Sequence, residues 1–155
     1  MTSDRLNFTD PAQRAILDLV LNMIVPPSAD GRMPGAADVG VPAYLSAEAP
    51  DALPLLCQEL KQLDSASRER FARGFAAIEE SERRSLVRDM RAQAPAFLSR
   101  LAMEAMACYY QQDRVLEALG REARPPYPKG YKVAQGDLSL LEPVRARGKI
   151  YREVT

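Results

Sequence analysis

A chain of 155 residues, 46% apolar and 27% charged, is long enough for one domain with a real core and too apolar for wholesale disorder. Its 21 basic and 21 acidic side chains cancel, so the basic excess of a nucleic-acid binder is missing. Histidine is absent, which excludes Ser-His-Asp and Cys-His catalysis and removes the commonest metal and haem ligand.

The chain opens on MTSDRLNFTDPAQR, without the basic-then-apolar layout of a secretory leader. No later run approaches the roughly 20 apolar residues that span a bilayer. The expected compartment is therefore the cytoplasm, with export only alongside a partner, and no direct membrane insertion. Asp10 can cap a first helix, Pro11 suits its first position, and Gln13 completes a capping-box-like pattern. Ile16, Leu17, Val20, Leu21 and Ile24 recur at helical spacing until Pro26-Pro27 ends the run. Residues 26–36, PPSADGRMPGA, read as a loop. Asp38 is the expected start of a short helix carrying Val41, Tyr44 and Leu45. Beyond Pro50, Leu53, Leu56, Leu60 and Leu63 form a stripe, and Pro54 is tolerable because it lies in the first turn.

Ser65 or Ser67 is the expected cap of a fourth helix bearing Phe71, Phe75 and Ile78. Ser81 opens a fifth, with Leu86, Val87 and Met90 inward. Its Arg83, Arg84, Arg88, Asp89 and Arg91 face mostly outward and read as a solvated face. A sixth is expected from Pro95 to Leu119, stopped by Gly120. Its middle, LAMEAMACYY, is apolar nearly all round, with Glu104 its one charge, so it lies centrally or packs its own bundle on one side and a partner on the other. Core packing is the default reading of its Met103, Met106 and Tyr110 stripe, and a partner surface is the other.

Periodicity stops after Gly120. Residues 1–120 hold 13 basic and 17 acidic side chains, residues 121–155 hold 8 and 4, so the last segment is positive against a negative remainder. The expected fold is all-α: a compact bundle of about five to six helices over residues 1–120, with a long, irregular C-terminal extension over 121–155. That extension packs on its own bundle or on a partner.

Little in the chain suggests chemistry. Cys57 and Cys108 are too few and too far apart in sequence for a cysteine-only zinc or iron–sulfur site, and read as small core thiols. Gly31, Gly35 and Gly40 match neither the dinucleotide nor the P-loop pattern. Glu104 with Asp18 or Asp113 could form an acid/base pair, but a lone glutamate on such a helix more often turns outward or pairs with an arginine. No catalytic, cofactor-binding or metal-ligating residue is expected.

The stretch IVPPSADGRMPGAADVGVPAYL resembles the gluconate 2-dehydrogenase subunit 3 family, in which a helix ends in an Ile-x-Pro-like element, followed by an acidic loop, Pro-Gly-Ala and a Gly-Val pair. The matching residues are Ile24, Pro26, Pro27, Asp30, Pro34, Gly35, Ala36, Gly40 and Val41. Tyr109-Tyr110, Leu119-Gly120 and a proline-rich segment ending in Gly130-Tyr131 resemble the same family further along.

The resemblance implies a small, non-catalytic subunit. It would accompany a large FAD-containing subunit of the glucose–methanol–choline type, with an electron-accepting cytochrome as a further partner, and aid folding, solubility or export. Family members often carry a twin-arginine signal; here Arg83-Arg84 is mid-chain. Much of the partner contact is expected from residues 121–155, with Tyr127, Tyr131 and Tyr151 as anchors and Arg145, Arg147 and Arg152 as charges; Met103, Met106 and Tyr110 on the central helix are the next candidates. The alternative is a stand-alone helical binding or regulatory module.

Overall fold

The computed structural model describes residues 10–93, 95–124, 130 and 134–150, and every regular element among them is helical. The chain divides after Arg124 into two units.

The first unit begins with α1, Pro11–Ile24. Asp10 caps it by accepting the Ala12 amide at 3.0 Å, and Ile16, Leu17, Val20 and Leu21 are buried. A 3-10 turn, Ala36–Val39, precedes α2, Val41–Glu48. Asp38 therefore lies inside the turn and does not start the helix: its carboxylate accepts the Gly35 amide at 3.1 Å. The break falls at Gly40, whose φ of 76° is left-handed. After a second 3-10 turn, Pro50–Ala52, comes α3, Leu53–Phe71, which buries Leu53, Leu56, Leu60 and Leu63 as the stripe requires.

The expected fourth helix is not there. Ser65 and Ser67 belong to α3, and Ser67 is fully buried, its hydroxyl donating to the Arg73 carbonyl at 2.9 Å. Ala72 ends α3 in the left-handed region, and Phe75 and Ile78 reach the core from a 3-10 turn, Phe75–Ala77, and its flank. Asp64 fixes that turn, accepting the Phe75 amide at 2.8 Å while pairing with Arg68. A 3-10 turn and a helix can present the same apolar residues, which is why spacing alone mistook one for the other.

The next helix, α4, spans Glu80–Gln93 with Leu86 buried, and starts one residue before Ser81. The expected long sixth helix is two: α5, Pro95–Tyr109, and α6, Asp113–Ala118. The break has a local cause. The Gln111 side-chain amide donates to the Ala107 carbonyl at 2.8 Å and that of Gln112 to the Cys108 carbonyl at 3.1 Å. Freed carbonyls are thereby satisfied without another turn. Gly120, with φ 70°, then terminates α6, and the Arg121 amide reaches back to the Leu116 carbonyl at 2.8 Å. The central position belongs to α5, which packs against α1, α2, α3 and α4.

The second unit, Pro125–Thr155, has a 3-10 turn, Leu138–Leu141, capped by Asp137, and one short helix, α7, Glu142–Ala146. Its other described residues are irregular, as expected of a C-terminal extension. Leu138, Leu140, Leu141, Val144 and Ile150 are exposed.

Candidate partner interface

The Pro-Gly-Ala segment is held from three sides. The Ala36 amide donates to the Val25 carbonyl at 2.9 Å, and the Ala37 amide to Asn22 Oδ1 at 3.1 Å, both at the end of α1. From α5, the Tyr109 hydroxyl donates to the Pro34 carbonyl at 2.8 Å, and the Cys108 thiol lies 3.6 Å from the Val39 carbonyl. Pro34, Gly35 and Ala36 are buried, whereas Pro26, Pro27 and Gly40 are at the surface. Gly35 has φ −75°, so its need is space: a Cβ there would lie 2.3 Å from Asn22 Oδ1 and 3.1 Å from Pro27 Cδ. Burial pushes the Tyr109 phenol and the Cys108 thiol above their ordinary pKa values, with Tyr110 adding to the first and a Gln112 hydrogen bond opposing the second. In the adjoining loop, the Ser28 hydroxyl and the Arg32 amide hold the Asp30 carboxyl below the usual range.

This clamp fixes which way α5 faces. Phe97, Leu98, Leu101, Ala105, Cys108 and Tyr109 turn into the core. Ala96, Ser99, Met103, Met106 and Tyr110 fall within roughly a third of the helix circumference on the opposite side. Met103 is 64%, Met106 42% and Tyr110 53% exposed, so the core reading of this stripe is overturned. Tyr110 stands edge-on to Tyr109, ring centroids 5.3 Å apart. A cleft of about 320 Å³ runs along one side of the ridge, between α2, α3 and α5, and another of about 370 Å³ along the other, between α1, α4 and α5. Exposed apolar side chains on a central helix, flanked by apolar clefts, form a surface suited to a protein partner.

Of the three carboxylates considered for catalysis, Asp113 is exposed and the other two are paired with arginines. Glu104 accepts from Arg100 Nε at 2.7 Å, and Asp18 from Arg14 Nε at 2.8 Å. Among the described residues no three His, Cys, Asp or Glu side chains come together to hold a metal, and no helix is long and apolar enough to cross a membrane. Cys108 is a core thiol as expected; Cys57 is only half-buried and borders an open groove on α3.

Of the tail candidates, Arg145 pairs with Glu142 at 3.1 Å and Arg147 is exposed. Tyr127, Tyr131, Tyr151 and Arg152 lie outside the described residues. Glu104 pairs with an arginine as expected, but three features escaped the sequence: Leu55 at the lip of one cleft, Arg100 as that arginine, and Asn22 in the clamp. Leu55 stands off the α3 stripe and Arg100 precedes Glu104 by one turn, so both were detectable; Asn22 carries no pattern of its own.

The family model described as gluconate 2-dehydrogenase subunit 3 matches residues 11–136. No curated protein and no solved structure matches the chain.

Proposed function

The chain belongs to the gluconate 2-dehydrogenase subunit 3 family, and from that premise we propose that it is a non-catalytic small subunit that binds and stabilises a large FAD-containing dehydrogenase subunit. The large subunit is of the glucose–methanol–choline type and oxidises a sugar or alcohol. Its flavin and its catalytic base are its own, and electrons pass to an acceptor such as a cytochrome subunit without crossing this chain. The observation that carries the reading is the outward face of α5, where a dehydrogenase-subunit family member leaves Met103, Met106 and Tyr110 in solvent.

The absence of histidine supports a non-catalytic role independently. The family match ends at Gly136, so the family's shared role resides in residues 11–136, and this favours α5 over the later tail as the main contact. Arg145, Arg147, Tyr151 and Arg152 are then auxiliary contacts, with Tyr127 and Tyr131 inside the matched span. Two unpaired cysteines suit the cytoplasm as the compartment of assembly.

The test is a visible spectrum and a dye-reduction assay on two samples. One is the full chain purified alone; the other is the tagged chain recovered from its native host. The isolated chain should be colourless and inactive, and the native sample should contain a flavin-bearing dehydrogenase subunit and reduce dye with sugar substrates. Stoichiometric flavin in the isolated chain, or a native partner that is no oxidoreductase, would contradict the reading.

A further inference from the structure

Resting on the subunit reading above, we propose that the cleft between α2, α3 and α5 is a socket for one large apolar side chain of the dehydrogenase subunit, carried beside a carboxylate that meets Arg100. The cleft, about 320 Å³, is at the small end of the range that binding pockets occupy. Its walls include Leu45, Leu56, Phe97 and Leu101, all core residues no more than 6% exposed, so it is pre-formed. Leu55, at the lip, is 55% exposed although its helix buries four other leucines.

The polar element selects the occupant. Arg100 is bound to Glu104 through Nε alone; among the described residues its terminal nitrogens donate to nothing, and its side chain is 59% exposed. Glu104, which lines the same cleft, already offsets the charge through Nε, but an apolar surface over the two terminal nitrogens would leave them unbonded, whereas a carboxylate there gains a forked, charge-assisted hydrogen bond. A protein is favoured over a free amphiphilic acid because the cleft is continuous with a wider exposed ridge: Met103 follows Arg100 by one turn, and Met106 and Tyr110 extend it. A large side chain seated in a well-packed pocket that excludes water is the usual form of a binding hot spot.

The experiment uses the tagged full chain recovered with its dehydrogenase subunit from the native host. Ala96→Trp plugs the mouth of the cleft from an exposed position; Arg100→Glu reverses its charge; Arg88→Glu on α4 is the control. All three are checked for unchanged circular dichroism and melting. The dehydrogenase retained should fall about tenfold or more for the first two and stay constant for the third. Retention by Ala96→Trp overturns the socket, and retention by Arg100→Glu overturns its carboxylate. Saturable binding of the fluorescent fatty acid cis-parinaric acid to the isolated full chain, abolished by Ala96→Trp, would make the cleft an amphiphile site and also overturn the proposal. If the wild-type chain brings down no dehydrogenase, the subunit reading itself fails.

Discussion

Gly35 and Tyr109 set the geometry of the clamp between the Pro-Gly-Ala turn and the helices. Asn22 cannot make room for a Cβ at position 35 without loosening its bond to the Ala37 amide, so Gly35→Ala should destabilise by about 1–3 kcal/mol, read from chemical denaturation. Asn22→Ala removes the nearer obstacle and leaves only the looser approach to Pro27, so the double variant should lose less than the sum of the two single losses; strict additivity would show that the approach to Asn22 is unimportant. Periodicity and motif leave this need at Gly35 invisible, because a positive φ has a residue-type signature and a close approach to Asn22, far off in sequence, has none. Tyr109→Phe should cost about 1 kcal/mol through the unpaired Pro34 carbonyl.

Alkaline pH probes the same clamp. Both Cys108 and Tyr109 have pKa values raised in the fold, from ordinary values of 9.0 and 10.0. The stabilisation linked to a raised pKa is complete below the ordinary value and is lost as pH climbs through the folded one. The melting temperature should therefore decline above about pH 9, and Tyr109→Phe should flatten the part of the decline above about pH 10. A melting temperature level to pH 11 would contradict this.

At the scale of elements, the legible helices were those with strong stripes and proper ends: α1 with Asp10 and Pro11, and α3 with its leucines. The errors came where a segment keeps helical spacing without being one helix. Phe75 and Ile78 sit at helical spacing from Phe71, yet the chain turns at Ala72; Tyr110 and Val115 continue the α5 pattern, yet Gln111 and Gln112 cap it. Side-chain caps and a non-glycine left-handed residue leave little mark on periodicity. Ala72, at φ 56°, is exposed and bears the usual cost of a Cβ in that region. Ala72→Gly should stabilise the protein by up to about 1 kcal/mol, visible as a higher melting temperature. A lower one would show that the gain in unfolded-state freedom outweighs the strain relieved.

For the whole molecule, apolarity all round the LAMEAMACYY helix was readable from sequence, but which side met the core was not. That depended on Tyr109 docking to Pro34, 75 residues away in sequence. The consequence is a ridge of Met103, Met106 and Tyr110 turned outward from a well-filled bundle, in a chain whose family names it a dehydrogenase subunit. The most direct measurement is the amount of flavin-bearing dehydrogenase subunit recovered from the native host by three tagged chains: wild type, Met103→Glu/Met106→Glu/Tyr110→Ser, and a deletion of residues 137–155. The substituted positions are exposed, so that variant should melt like wild type. It should nevertheless lose the dehydrogenase, while the deletion retains most of it. Full recovery by the substituted chain, with loss on deletion, would contradict the account and move the interface from α5 to the tail.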